Sequence, residues 1–326
     1  MMWKLWNCLF KRNGLAMPTA KTDTLRREAR EVAYQSWRNL GNAKKLQFDQ
    51  VSLAREADRA RLVRHIADHP DQAVVHLTHY DGYVREAALR HVPLADASPA
   101  LALLLLERCN DWVPVLRRLA MERLRDVVAL LPETDLVPLV AAILGRATRW
   151  QRLSTDIGDL TSMFDAPAMR NAVNEYLLSA SQGPVVRQAR WAMRLGIVDG
   201  ALAQFALRAR SSALRAVATE CLLDGKVYWT EGREKVWVDK PMGLYRTQPR
   251  WQSRALGPVT FDRVALLQSA ARDKGLAVRR VVADHLCKTG PEPALAATIA
   301  SLLEDQSRAV AHRMHFFRQK WPLKTD

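Results

Sequence analysis

Glycine is scarce in this 326-residue chain, 14 residues, cysteine scarcer still at four, and its apolar runs are short. So little glycine argues against long stretches of turn-rich β structure. Cys8, Cys109, Cys221 and Cys287 stand 101, 112 and 66 residues apart with no CxxC pair. That spacing excludes a disulfide framework and a cysteine zinc site, and it reads as reduced thiols in a cytoplasmic protein. Runs such as Leu101–Leu106 are cut short by charge, so no integral membrane span is expected. There is no G-x-S-x-G, no phosphate-binding P-loop and no GxGxxG, which removes the commonest hydrolase and nucleotide chemistries. Lysine is missing between Lys45 and Lys226, although the chain holds 12 Lys and 37 Arg.

What is present is positive charge. Lys and Arg number 49 against 34 Asp and Glu, a formal +15, with 48% apolar and 25% charged residues, so a core can form and global disorder is excluded. The charge is uneven. Residues 1–70 carry +7 (fourteen basic, seven acidic), residues 225–258 carry +4 (seven and three), and the other 222 residues carry +4. The opening MMWKLWNCLFKR has no apolar stretch of secretory type. Its Trp3, Leu5, Trp6, Leu9 and Phe10 alternate with Lys4, Lys11 and Arg12, which suits a membrane surface, or a leader ahead of a start at Met17.

Residues 23–69 read as two helical pieces broken at Gly41-Asn42, the second running from Phe48 to His69-Pro70. Beyond them a motif recurs: Asp81-Gly-Tyr-Val84-Arg85, Asp111-Trp-Val-Pro-Val-Leu116-Arg117, Val186-Arg187, Leu214-Arg215 and Asp273-Lys-Gly-Leu-Ala-Val278-Arg279, with a degenerate copy at Asp305 and Val310. Its gaps of 32, 70, 28, 64 and 32 residues describe a period near 32, the mark of stacked two-helix units. Helix pairs are expected over 70–92, 98–130, 135–164, 167–194, 199–223, 260–288 and 293–320. Caps at Ser98-Pro99, Asp165-Ala-Pro167 and Gly183-Pro184, and helix ends before Gly145, Gly196 and Gly290, support them.

On that motif the chain resembles the HEAT-repeat family of bacterial type over about residues 70–320. The resemblance implies an all-α fold: an α-solenoid of about seven HEAT-like helix pairs with an N-terminal helical cap and one β-hairpin insertion. The organisation it implies is a leader at 1–22, a cap at 23–69, repeats at 70–223, the insertion at 224–258 and further repeats at 259–326. It also implies that the Asp ahead of each inner helix pairs with the Arg within it, so that Arg85, Arg117, Arg187, Arg215 and Arg279 build a ladder. Arg90, Arg118, Arg123, Arg125, Arg190, Arg194, Arg280, Arg308, Arg313 and Arg318 have no repeating Asp partner and would make part of the inner face positive.

The insertion breaks the pattern. Val227-Tyr-Trp229 and Val236-Trp-Val238 flank Thr230-Glu-Gly-Arg233, which reads as two strands around a turn. Five aromatics fall between 225 and 258: Tyr228, Trp229, Trp237, Tyr245 and Trp251. A small hairpin cannot bury all three Trp, whereas Trp150 and Trp191 read as core. The candidate partner-binding residues are Trp229, Arg233, Trp237, Tyr245, Arg246, Arg250 and Trp251 of the insertion, with Arg118, Arg190, Arg194 and Arg280 of the inner helices. The expected role is a non-catalytic scaffold or adaptor for an acidic partner, a protein surface or nucleic acid.

No catalytic residue, metal or cofactor is assigned. His65/His69 and His76/His79 have helical spacing, but no carboxylate completes an HExxH pattern. The alternative is an enzyme: Arg187-Gln-Ala189-Arg-Trp191-Ala-Met-Arg194 is similar to a helix of the helical-repeat alkylpurine DNA glycosylases, one residue short between Ala and Trp. One residue turns a helix by about 100°. Asp111-Trp112 offers an acid beside an aromatic, with Asp111 better suited to capping a helix.

Overall fold

A computed structural model of the protein describes residues 48–147 and 157–322. The leader, the first cap helix, Trp150 and the expected helix around Arg149 lie wholly or partly outside the described residues. Within them the chain is mostly helical, with one two-stranded antiparallel hairpin. It divides into two compact units at Ala172/Val173, a point inside a helix that nothing in the sequence singles out.

The first unit contains α1 (Phe48–Asp68), α2 (Ala73–His76), α3 (Gly82–His91), α4 (Pro99–Arg108), α5 (Pro114–Leu130), α6 (Glu133–Ala147) and α7 (Ile157–Ser162). Its last helix, α8 (Pro167–Ser179), carries the division. Helices α1, α3 and α5 pack side by side in one row, while α4 packs against α5 and α6 in a second. Local chemistry sets the helix starts. Asp81 accepts the Tyr83 N–H, Ser98 accepts the Leu101 N–H, and Pro99, Pro114 and Pro167 stand at first helical positions. Leu101, Leu105, Leu116 and Leu124 are fully buried, each contributing about 1.5–3 kcal/mol of transfer free energy. Gly145, expected past a helix end, lies within α6, because the apolar face continues through Ile143 and Leu144.

The second unit contains α9 (Val185–Arg194), α10 (Leu202–Arg208), α11 (Ser212–Asp224), β1 (Lys226–Asp239), β2 (Leu244–Ala255), α12 (Arg263–Ala271), α13 (Leu276–Thr289), α14 (Ala296–Leu303) and α15 (Arg308–Lys320). Again there are two rows: α9, α11, α13 and α15 in one, α10, α12 and α14 in the other. The core at its C-terminal end is built from Leu267, Val278, Val282, Leu286, Ile299 and Phe317. Neighbours α11 and α13 of the first row approach closely at Gly275, where an added Cβ would stand 2.5 Å from the Ser212 Cβ.

A recurring arginine links neighbours within each unit. Arg85 is 3% exposed and grips Asp111 with two nitrogens, at 2.9 and 3.1 Å. Arg215 holds Asp273 the same way (2.6 and 2.7 Å), and Arg279 holds Asp305 (2.6 and 3.2 Å). The remaining guanidinium nitrogen donates to the carbonyl six residues back: Arg85 to His79, Arg117 to Asp111, Arg215 to Ala209 and Arg279 to Asp273. Each acceptor Asp also fixes the loop that enters its own helix, by accepting the N–H two residues on, from Val113, Gly275 or Ser307. The pairing therefore differs from the expected one. Arg85, Arg215 and Arg279 each take the Asp ahead of the next helix in the row, because the side chain points across the row and the local carbonyls already satisfy its own loop. Arg59 of α1 supplies an earlier rung to Asp81 at 2.9 Å.

Arg187 does not join the ladder. The rung arginines are the fourth residues of their helices, whereas α9 begins at Val185 and makes Arg187 the third. That rotates it by about 100°, and it is exposed. Arg170, fourth in α8, instead donates to the carbonyl of Phe164, six residues back. Met169-Arg170 behind Asp165 was the available signal for it.

The hairpin exists, but its turn is elsewhere. β1 runs unbroken through Thr230–Arg233, where Glu231 and Gly232 together face Arg250 as a β-bulge. Gly232 adopts φ +74°, which a bulge accommodates as readily as a turn does. The chain reverses at Lys240–Gly243, closed by the Gly243 N–H donating to the Lys240 carbonyl at 3.1 Å. Pro241 presets this turn, Gly243 takes φ +67°, and Asp239 accepts the Met242 N–H.

Candidate functional site

The hairpin stands on α9 and α11, and its base is locked by residues the sequence reading passed over. Val227 is fully buried. Its cross-strand partner Arg254 grips both Asp199 oxygens (2.5 and 2.8 Å) and reaches the Met193 and Arg194 carbonyls at the end of α9. Asp199 also accepts the Gly257 N–H, which fixes the exit of β2. A charge-rich insertion with an Asp just ahead of the next helix was the only hint of this clamp.

Two candidate arginines of α9 meet the hairpin one turn apart. Arg190 donates to the Tyr228 carbonyl at 2.6 Å and lies 5.6 Å from the Trp251 ring centre. Arg194 pairs with Glu231 at 3.1 Å and lies 5.5 Å from the Trp229 ring. Both geometries are cation–π contacts. Arg250 reaches the same Glu231 carboxylate. Trp229 is half-buried, while Trp237, Tyr245 and Trp251 are 48%, 47% and 55% exposed. Trp237 meets Tyr245 edge to face at 5.6 Å, and the Lys235 ammonium sits 4.4 Å from the Tyr245 ring.

Strand register sorts these groups onto two faces, since successive side chains alternate and cross-strand partners share a face. Pairs Thr230–Trp251, Arg233–Pro249, Lys235–Thr247 and Trp237–Tyr245 define one face. Pairs Trp229–Gln252, Glu234–Gln248 and Val236–Arg246 define the other. The acids are segregated: Glu234 bonds Gln248 on the second face, Glu231 is held by Arg194 and Arg250, and Asp239 caps the turn. The first face carries cations and rings without a carboxylate.

The remaining candidates are dispersed. Arg118 on α5 and Arg280 on α13 are exposed and form no ion pair among the described residues. Several of the arginines without a repeating Asp partner have other partners. Arg90 bonds Glu86, Arg313 bonds Asp284, Arg125 reaches Ser162, and Arg123 donates to the Leu89 and Arg90 carbonyls. Arginine at helical spacing finds the nearest acid or free carbonyl, which composition cannot reveal. Trp191, read as core, is only half-buried on α9.

The enzyme-related residues are held by the fold. Asp111, 6% exposed, accepts bonds from Arg85, Arg108 and the Val113 N–H. Burial lowers the pKa of His76, with His79 adding to the effect, and burial likewise lowers that of His79, whose Nδ1 accepts the Asp81 N–H. Among the described residues, no three His, Cys, Asp or Glu side chains are grouped so as to hold a metal ion. No helix there is long and apolar enough to cross a membrane. Burial pushes the Cys221 thiol up to about 11, so it stays protonated and unreactive at neutral pH.

No protein-family model, curated protein or solved structure matches the chain.

Proposed function

We propose that this chain is a non-catalytic scaffold of HEAT-like helix pairs, an α-solenoid, whose hairpin and adjoining α9 arginines engage an acidic partner in the cytoplasm. Support for the repeat reading comes from the arginine rungs, which recur in each unit with the same six-residue carbonyl contact and the same onward grip on an Asp in the loop before the next helix of the row. The observation that carries the binding role is the hairpin face on which Arg233, Lys235, Trp237, Tyr245 and Trp251 stand without a carboxylate. Isolated hairpins are marginally stable, and this one is anchored through Arg254 and Asp199 while its outer half stays exposed. Packing does not account for exposed rings there. The glycosylase alternative draws no support from Asp111, whose carboxylate is engaged on all sides.

Binding of the full chain to two polyanions, polyglutamate and an oligonucleotide, tests the role. The native chain should bind at low salt, and the combined Arg233→Glu, Lys235→Glu and Arg246→Glu variant should not, with its helical circular dichroism unchanged. A native chain that retains no polyanion at low salt overturns the proposal.

A further inference from the structure

The kind of acidic partner can be narrowed, on the footing of the proposed function. We infer that the carboxylate-free face of the hairpin is a stacking platform for single-stranded nucleic acid.

Three features of the hairpin converge on that ligand. Its rings are available: Trp237, Tyr245 and Trp251 are each about half exposed, and Trp237 and Tyr245 meet edge to face, so they do not cover each other by stacking. Its cations are interleaved with those rings. Arg233 and Lys235 lie on the same face as Trp237, and Arg190 beside Trp251 extends the positive row to the hairpin's base, so a backbone of phosphates could follow the strand while its bases meet the rings. The third feature concerns the edges. A protein strand adding to the hairpin would need a regular row of free backbone groups. Pro249 lacks an N–H, the Glu231–Gly232 bulge breaks the spacing of β1, and Arg190 occupies the Tyr228 carbonyl. Recognition is thereby directed to the face. A duplex keeps its bases stacked on one another and out of reach of such rings, whereas an unpaired strand exposes them.

Fluorescence anisotropy with labelled oligo(dT) and oligo(U), a duplex of equal length and labelled polyglutamate tests this, with the full chain between about 50 and 200 mM salt. The single strands should bind tighter than either competitor. Trp237→Ala should weaken single-strand binding about 5- to 150-fold, and Tyr245→Ala by a like factor, while Trp237→Phe retains it. Replacing Arg233 and Lys235 together by Gln should flatten the log–log salt slope by about 1.4, and Arg272→Gln, outside the hairpin, should leave affinity nearly unchanged. Because these side chains are exposed, melting temperatures should stay at the native value.

Duplex bound as tightly as single strand overturns the inference, as does single-strand binding that survives loss of both rings. Polyglutamate bound without either oligonucleotide overturns it too, yet leaves the acidic-partner scaffold standing. Binding of none of the probes removes both.

Discussion

Arg85 and Arg233 carry the same guanidinium into opposite circumstances. In the helical rows Arg85 is buried, with every nitrogen directed at Asp111 or at the carbonyls of His79 and Tyr80. In the hairpin Arg233 is exposed, opposite Pro249, on a face with no acid to meet it. The difference lies in what each element must satisfy. The loops between stacked helices leave backbone N–H and carbonyl groups without partners in a helix, and an Asp–Arg rung satisfies one of each at once. A two-stranded ribbon satisfies its backbone internally, so its side chains are free for something else. The total of +15 therefore says little by itself, since its arginines divide into a bonded set and an available set.

Mutations should separate the two sets. The largest effect is expected for Arg85→Ala, which leaves the Asp111 carboxylate buried without its main partner; unfolding in urea should show a loss of about 3–5 kcal/mol. Gly275→Ala should come next, because its Cβ collides with Ser212 at the meeting of α11 and α13; about 1–3 kcal/mol is expected in the same measurement. Arg254→Ala removes the clamp on Asp199 and should leave the helices folded, while amide hydrogen exchange accelerates in β1 and β2. Arg246→Ala, exposed, should shift stability by no more than about 0.5 kcal/mol. A shift as large as that of Arg85→Ala would erase the distinction drawn between the two regions.

Acid sharpens the comparison further. In Asp81 and Asp273 burial alone would raise the pKa, but the hydrogen bonds from Arg59 and Arg215, joined by backbone N–H groups, bring both below the ordinary carboxylate value. The Arg279 hydrogen bond lowers Asp305 directly. A lowered folded pKa means that the unfolded chain binds more protons, so this stability is complete above about pH 4 and lost as pH falls through the folded values. Burial also lowers His76, His79 and His285. The unfolded chain protonates these imidazoles first, so the melting temperature should begin to fall below about pH 6.5 and drop again below about pH 4. A melting temperature that holds constant from pH 7 to pH 5 would contradict the histidine contribution.

Much of this molecule was legible in one dimension. Ser98-Pro99, Asp81 and Pro167 mark helix starts through capping chemistry that acts within a few residues, and apolar spacing marks the buried faces. The residues of the rungs, Arg85, Arg215 and Arg279, were visible as a repeat, and the insertion between Asp224 and Pro258 stood out by its aromatics. The turn was misplaced because Gly232 suits a bulge and a turn alike, and strands of fourteen and twelve residues are far from the usual five or six. The register of β1 on β2 decides which glycine reverses the chain, and register is a pairing between distant residues.

Sequence by itself thus determined that the chain is mostly helical, that a hairpin interrupts the helices and that Arg85, Arg215 and Arg279 recur, since each depends on neighbours along the chain. Only the tertiary structure decided that Arg85 takes Asp111 and not Asp81, that Arg187 makes no rung while Arg170 makes the six-residue carbonyl contact, and that the acids of the hairpin lie away from Arg233, Lys235 and Trp237. Those outcomes turn on rotation about a helix axis and on the side of a pleat, where a shift of one residue moves a side chain to a different neighbour.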